Sequence, residues 1–187
     1  MRAFSIIGSA HVNDARLFDA LEKALRTTRP DQLLLEMPDE AATSGQITGQ
    51  KPEMSFAYRW AIAHDTPVRG HEPAGFSVLR SELTAARIEQ LLEAMNQLLP
   101  KLTLRRTIDI FCGIDTPGHP DEVRLAAVLD ELIDPQKAAA RSHAIVRQIK
   151  SLAVAEGTIL VICGGAHVPH IAEALPGSRI IRGDYFY

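Results

Sequence analysis

The sequence predicts an α/β protein whose central sheet is mostly parallel or mixed and carries helices on both faces. Short apolar runs alternate with amphipathic helical stretches along the chain, and glycine or proline bounds most of these runs. The strongest apolar run, residues 159–163, is uninterrupted, as in strands that are buried on both faces. We expect one domain over residues 1–187, because this length and a hydrophobic share of 46% suffice for one core.

The first part of the chain predicts a β-α-β unit. Residues 3–7 form a short apolar run that ends at a glycine, which is typical of a buried strand. Asn13 or Asp14 can cap the helix that follows, in which leucines recur on one face. A second strand is expected at residues 33–35, and Pro38 excludes its continuation as a central strand.

The rest of the chain adds further helices and strands. Residues 41–52 are rich in Gly, Thr, Ser and Gln, which predicts a flexible loop. Asp121 is the expected cap of a helix that ends near residue 132. The remaining predicted elements are helices through residues 56–63, 84–99 and 135–155, and strands at residues 67–70, 159–163 and 178–181.

A weak internal repeat relates the two ends of the chain. Residues 6–12 resemble residues 162–168, and both segments contain a Gly-x-Ala-His sequence after an apolar run. A helical stretch and another apolar run follow each segment. One interpretation is a degenerate duplication of a β-GxAH-α-β unit, and the other is a chance match.

Composition limits the classes of partner. The formal net charge is −3 and the chain has no long basic run, so we expect no nucleic acid and no anionic membrane as partner. No apolar run approaches about 18 residues and the N-terminus lacks a signal-peptide core, which predicts a cytoplasmic protein. Cys163 lies in an apolar run, so we expect a reduced, buried thiol there rather than a disulfide with Cys112.

Side chains with ligand or acid-base chemistry follow four of the predicted strands. These are His11, Glu36, the pair His71-Glu72, and His167. Parallel strands end at one edge of a sheet, where ligands bind in the crevice beyond the strand ends. Each histidine alone is more often a turn or capping residue, but their joint placement predicts one shared polar site.

Two chemistries suit such a site. His11, His167 and Glu36 form an N/O ligand set for a divalent metal such as Zn²⁺, Mn²⁺ or Co²⁺, which would lower the pKa of a bound water. Alternatively, a histidine held by a carboxylate deprotonates water without a metal. Arg141, on the helix before the strongest strand, either stabilises an oxyanion there or is a solvated surface residue.

Other polar residues are weaker candidates for the site. Arg182 and Asp184 follow the last predicted strand, whereas the remaining histidines are expected in turns or on the surface. Of these, His170 is near enough to His167 in sequence to join it. The chain contains no G-x-G-x-x-G fingerprint, no P-loop and no Gly-x-Ser-x-Gly elbow, which argues against dinucleotide binding and serine hydrolysis.

Three motifs of the chain contain the candidate residues: Gly8-Ser9-Ala10-His11, Leu34-Leu35-Glu36-Met37-Pro38 and Gly164-Gly165-Ala166-His167-Val168-Pro169. They resemble motifs of the TraB/PrgY, GumN and Tiki superfamily and, more distantly, of erythromycin esterase and the ChaN-like haem-binding proteins. In addition, Gly70-His71-Glu72 is similar to the Gly-Leu-Glu of that superfamily, with His71 in place of Leu, and Arg141 precedes the second histidine motif as the family arginine does.

The resemblance implies a mixed-sheet α/β fold and a hydrolase. Tiki-like members are metal-dependent peptidases, and erythromycin-esterase-like members use a histidine-activated water on an ester. The leading hypothesis is therefore a metal-dependent or histidine-activated hydrolase that acts on a peptide or ester bond of a peptide or small-molecule substrate through His11, Glu36, Glu72, Arg141 and His167. The alternative, from the ChaN-like branch, is a non-catalytic protein that binds haem, a metal or a small ligand. Either protein can form a homo-oligomer.

Overall fold

A computed structural model of the protein describes residues 2–9, 11, 13–111, 113, 116–183 and 185–186. It confirms the α/β fold and shows an all-parallel, five-stranded sheet with strand order β3-β2-β4-β1-β5. Its strands are β1 (Arg2–Ser9), β2 (Gln32–Leu35), β3 (Val68–Gly70), β4 (Gly157–Gly164) and β5 (Arg179–Ile180).

The helices of the described chain cover both faces of this sheet and its carboxyl edge. None of them is long and apolar enough to span a bilayer. They are α1 (Ala15–Thr28), α2 (Asp39–Ser44), α3 (Pro52–Ala63), α4 (Ala85–Leu98), α5 (Leu104–Phe111), α6 (Pro120–Leu132), α7 (Pro135–Leu152) and α8 (Val168–Ala174).

Alternating strand residues build two separate hydrophobic layers. On one face, Ile7 and Ile162 pack with residues of α1 and α3. On the other face, Ile6 and Val161 pack with residues of α7 and α8. The side chains of each strand point to opposite faces in turn, which is why uninterrupted apolar runs are required here.

The two units of the internal repeat are interleaved in the sheet. β1 pairs with β4, and the chain passes from β1 through α1 to β2, which lies on the far side of β4. In the same way, the chain passes from β4 through α8 to β5, which lies on the far side of β1. Because α1 and α8 pack on opposite faces, the two units are related by a rotation about the strand direction. Parallel crossovers of one hand that progress in opposite directions place their helices on opposite faces in any case, so the duplication stays a prediction.

Three sequence-based expectations need correction. The predicted loop at residues 41–52 begins inside a helix, α2, in which two acidic residues of the first turn complement the helix dipole. The N-cap of α6 is His119 rather than Asp121, because the His119 side chain and Glu122 form a reciprocal capping box. Helix α5 was not predicted, since its short sequence contains β-branched residues that are poor helix formers.

A third apolar cluster joins α4, α5 and α6 beside the carboxyl edge of the sheet. Leu98, Ile110, Leu125 and Leu129 are its buried members. Other residues of the same segment, such as Leu102 and Ile108, line a cavity together with residues that follow the strands. This helical segment therefore lines the same cavity as the residues that follow the strands.

Candidate functional site

The structure brings the five predicted site residues together around the carboxylate of Glu36. Oε1 of Glu36 lies 3.8 Å from Nε2 of His11 and 3.9 Å from Nε2 of His167. Arg141 reaches the same oxygen through Nη2 at 2.8 Å, and its Nη2 also donates to Glu72 at 2.7 Å. The carboxyl ends of parallel strands meet at one edge, which accounts for this convergence from distant parts of the sequence.

The close approach of His11 to the end of β4 depends on two backbone features. His11 has a φ of 57°, in the left-handed region that non-glycine residues seldom adopt. At Gly164, a Cβ atom would lie only 2.8 Å from Nε2 of His11 and 3.3 Å from Oε2 of Glu36. Glycine at this strand end therefore makes room for the imidazole, and strained backbone of this kind is frequent at functional sites.

The imidazole of His11 is held by a buried carboxylate. Nδ1 of His11 makes a short hydrogen bond to Oε1 of Glu53, whose side chain is fully buried. An ionised carboxylate only accepts, so Nδ1 carries the proton and the lone pair is on Nε2. Nε2 lies beyond hydrogen-bond distance of Glu36, and the ring, about 30% exposed, lines the cavity. This pair has the geometry of an oriented general base.

Glu36 is the centre of the charge network. Its side chain is 1% exposed, Oε1 accepts from Lys51 Nζ at 2.5 Å and from Arg141, and Oε2 accepts a short bond from the backbone N–H of Gly164. Burial alone would raise the pKa of Glu36, but the Lys51 ammonium and the two histidines hold this pKa well below its usual range. Glu36 is therefore ionised, and it holds the side chains of Lys51 and Arg141 in place.

His167 is held as a neutral imidazole. Its Nδ1–H donates to Oγ of Ser142 at 2.9 Å, while that hydroxyl donates to the carbonyl of Ala138 at 3.0 Å. Nε2 of His167 accepts from Nη1 of Arg141 at 2.7 Å. Burial lowers the pKa of His167 to about 4; Glu36 opposes this shift and the positive charge of Arg141 adds to it.

The lowered pKa of His167 predicts a pH-dependent stability. Between the unfolded pKa of 6.5 and the folded value near 4, the unfolded chain binds a proton that the native state does not, so stability falls as pH falls. From pH 8 to pH 5 this difference corresponds to a loss of about 2 kcal/mol in the free energy of unfolding. We expect His167→Gln to remove that part of the pH dependence in urea unfolding. Exposed His143→Gln is the matched control, and an unchanged pH dependence in His167→Gln would contradict the assignment.

Two of the other candidate histidines, His71 and His170, have their hydrogen-bond or ring contacts outside this network. His71 is fully buried, its Nε2 is 3.2 Å from the carbonyl oxygen of Ile162, and burial lowers its pKa. Of the pair after β3, only Glu72 thus reaches Arg141. The ring of His170 stacks edge-on against that of His143, with centroids 6.0 Å apart. Arg182 is exposed, and Asp184 and Cys112 lie outside the described residues. Cys163 is buried, as expected.

Sequence reasoning missed three residues of the network. Lys51 and Glu53 lie at the end of the predicted loop and in the first turn of α3, and Ser142 follows Arg141 on α7. For Lys51 and Glu53 the local sequence indicates only where α3 begins, because proline occupies its first position with these two residues on either side. Nothing in the sequence, however, shows that α3 begins beside His11.

The network forms one side of a cavity with a volume of about 660 Å³. Polar groups line the side of the strand ends, and Asp14 and Arg16 of the α1 N-terminus add to it. Large apolar side chains also line the cavity, and they come mainly from the segment between α4 and the end of α5. A volume of this size matches ordinary small-molecule sites.

The donor atoms are not arranged to receive the predicted divalent metal. Oε1 of Glu36 is bonded to Lys51 and Arg141, and Nε2 of His167 is bonded to Arg141. A metal bound to these atoms would have to displace two cationic groups from positions of low solvent exposure. Among the described residues no three His, Cys, Asp or Glu side chains form a metal-binding group. The ligand set of His11, His167 and Glu36 does not fit a metal as the side chains stand.

Comparisons of the chain with protein-family models, with curated proteins and with solved structures gave no match. The site is therefore interpreted from its own geometry.

Proposed function

We propose that the protein is a hydrolase that cleaves an ester bond with water activated by His11. The carrying observation is the His11–Glu53 pair, in which Nδ1 is fixed by a buried carboxylate and Nε2 belongs to a ring that lines the cavity. A histidine oriented in this way is the usual form of a general base in enzymes. The similarity of its motifs to erythromycin-esterase-like proteins supports the same chemistry.

The reaction follows from the position of Nε2. A water molecule in the cavity transfers a proton to Nε2 as its oxygen attacks the ester carbonyl carbon. The resulting imidazolium is stabilised by Glu53, and its proton then passes to the leaving alkoxide when the acyl C–O bond breaks. The products are a carboxylate, an alcohol and a released proton, so neither a metal nor a covalent enzyme intermediate is required.

Two cations stabilise the charge that develops on the carbonyl oxygen. Arg141 and Lys51 both line the cavity, and both are fixed by the carboxylate of Glu36. Arg141 is further held by Glu72 through Nε and Nη2. Because these donors are preorganised and partly shielded from water, they act more strongly than the same groups in solution. His167 accepts one N–H of Nη1 of Arg141, so the second N–H of Nη1 and a further N–H of Lys51 are the donors for the carbonyl oxygen.

Assays with and without a chelator test the metal-free reaction. Purified protein is expected to hydrolyse 4-nitrophenyl esters above the buffer rate, and this rate should survive chelation. Activity that is lost on chelation and restored by Zn²⁺, Mn²⁺ or Co²⁺ would instead support the metal-dependent hypothesis. Hydrolysis of neither esters nor peptides under any of these conditions would contradict a hydrolase.

Glu53→Gln tests the positioning of the base. The glutamine keeps the size of the side chain but removes the charge that stabilises the imidazolium, so we expect kcat to fall by about 10- to 100-fold with little change in KM. Glu93→Gln, on the exposed surface of α4, is the matched control. An unchanged kcat in Glu53→Gln would contradict the proposed role of the His11–Glu53 pair, because it would show that His11 acts without Glu53.

Non-catalytic binding of haem is a second candidate function. The specific observation in its favour is that a histidine with a lone pair on Nε2 shares a cavity with an apolar wall and two cations, which suit haem propionates. Titration with haemin, followed in the Soret region, distinguishes this role. A His11-dependent spectral change at stoichiometric haemin together with no hydrolysis would favour haem binding over the hydrolase.

A further inference from the structure

The cavity is lined both by charged groups of the network and by large apolar side chains. The charged groups include His11, Lys51 and Arg141. Six large apolar side chains, which we call the apolar wall, come from the helical segment and the two loops beside it: Val78, Leu99, Leu102, Ile108, Phe111 and Ile133.

Most of the apolar wall is not fully buried within the protein. Val78, Leu99, Leu102 and Ile133 are half-buried, and Phe111 is 38% exposed. All five of these side chains line the cavity. A set of apolar side chains that line a concave site of about 660 Å³ is a common feature of ligand-binding cavities rather than of ordinary protein surface.

The chemistry of this wall favours an aliphatic ligand over a peptide. Five of the six side chains are branched aliphatic groups, which offer no hydrogen-bond partner for peptide N–H and C=O groups. Peptide groups placed against them would lose their bonds to water without compensation. The charged groups of the lining belong to other segments, and those bonded to Glu36, Lys51 and Arg141, lie in the network that also contains His11.

We infer that the cavity binds amphipathic ligands with an aliphatic chain, so that the substrates are medium-chain acyl esters. The acyl chain lies along the apolar wall, and the ester carbonyl lies between His11 and the two cations. The identity of the substrate rests on the proposed hydrolase function, whereas the preference for an aliphatic chain is a property of the cavity. In the reaction, water adds to the acyl carbon and the ester C–O bond breaks, which releases the fatty acid and the alcohol.

Binding of two carboxylates to the whole protein tests the ligand class without catalysis. Octanoate has six more methylenes than acetate, and each buried methylene is expected to raise affinity about fourfold, so burial of three gives about 60-fold. Calorimetric titration is expected to show this preference.

Variants of the cavity lining test where the chain binds. The ratio of octanoate affinity to acetate affinity should fall at least about fivefold in Leu102→Gln and in Phe111→Ser. Leu92→Gln, which changes an exposed leucine outside the cavity lining, should keep the native ratio. Phe111 is exposed enough for its variant to fold. Equal affinity of the native protein for octanoate and acetate would overturn the inference.

Ester kinetics separate this inference from the proposed function. We expect 4-nitrophenyl octanoate, below its micelle concentration, to have a kcat/KM well above that of the acetate, and this ratio should fall in Leu102→Gln. Hydrolysis of both esters with equal kcat/KM would leave the hydrolase standing and overturn the chain preference. Tight octanoate binding with no ester hydrolysis would contradict the hydrolase but support the ligand class.

Discussion

His11→Asn is expected to lower kcat for ester hydrolysis by about 1,000-fold, within the range that a general base contributes to catalysis. Asparagine is the most specific replacement because its amide N–H can still donate to Glu53, as Nδ1 of His11 does. It also tolerates the left-handed backbone at this position, where φ is 57°. The substitution therefore removes Nε2 and little else.

The effect of His11→Asn is measured by steady-state kinetics, after circular dichroism has shown that the variant is folded. His143→Asn changes an exposed histidine of α7 and serves as the matched control. We expect the control to retain the native kcat. A folded His11→Asn protein with a kcat within about threefold of the native value would remove His11 from the reaction, since general-base loss is far larger.

Glu36→Gln is expected to lower the free energy of unfolding by about 3 kcal/mol, because it removes the negative partner from a buried charge network. The Glu36 side chain is 1% exposed and is bonded to Lys51, Arg141 and the N–H of Gly164. Glutamine keeps the shape of the side chain but leaves the Lys51 ammonium against an amide. Arg141 retains Glu72, which limits the loss.

Urea unfolding near pH 7 measures the effect of Glu36→Gln. The matched control is Glu131→Gln, which also removes a carboxylate from a two-bond pair with an arginine, Arg87. That pair is about half exposed, and surface pairs of this kind contribute about 0–1 kcal/mol. A loss below about 1 kcal/mol in Glu36→Gln would show that the network is solvated rather than buried.

The sequence predicts the strand-end residues well, because this part of the site follows from topology. His11, Glu36, Glu72 and His167 each follow a predicted strand within a few residues, and parallel strands necessarily bring such positions to one edge. Arg141 is predicted only as a residue able to reach the crevice, since its direction depends on how α7 packs on the sheet. The bounds of the strands differ from the predicted ones by a few residues, as expected from frayed ends.

Lys51, Glu53 and Ser142 could not be predicted, because their roles depend on tertiary packing alone. The composition of residues 41–52 favours a loop, and a lysine at the end of a loop is usually solvated. Glu53 would ordinarily be an exposed acidic residue in the first turn of a helix, where it complements the dipole. Only the position of α3 beside the end of β1 converts it into the partner of His11.

The pairing of β1 with β4 has a consequence for synthesis of the chain. Arg2–Ser9 finds its sheet neighbours only in Gly157–Gly164 and Arg179–Ile180, and β2 lacks its neighbour on one side until β4 exists. During translation β1 therefore remains unpaired until about 150 further residues have been added. We expect the centre of the sheet to form only after β4 has been synthesised, so that folding is slow for a domain of this size.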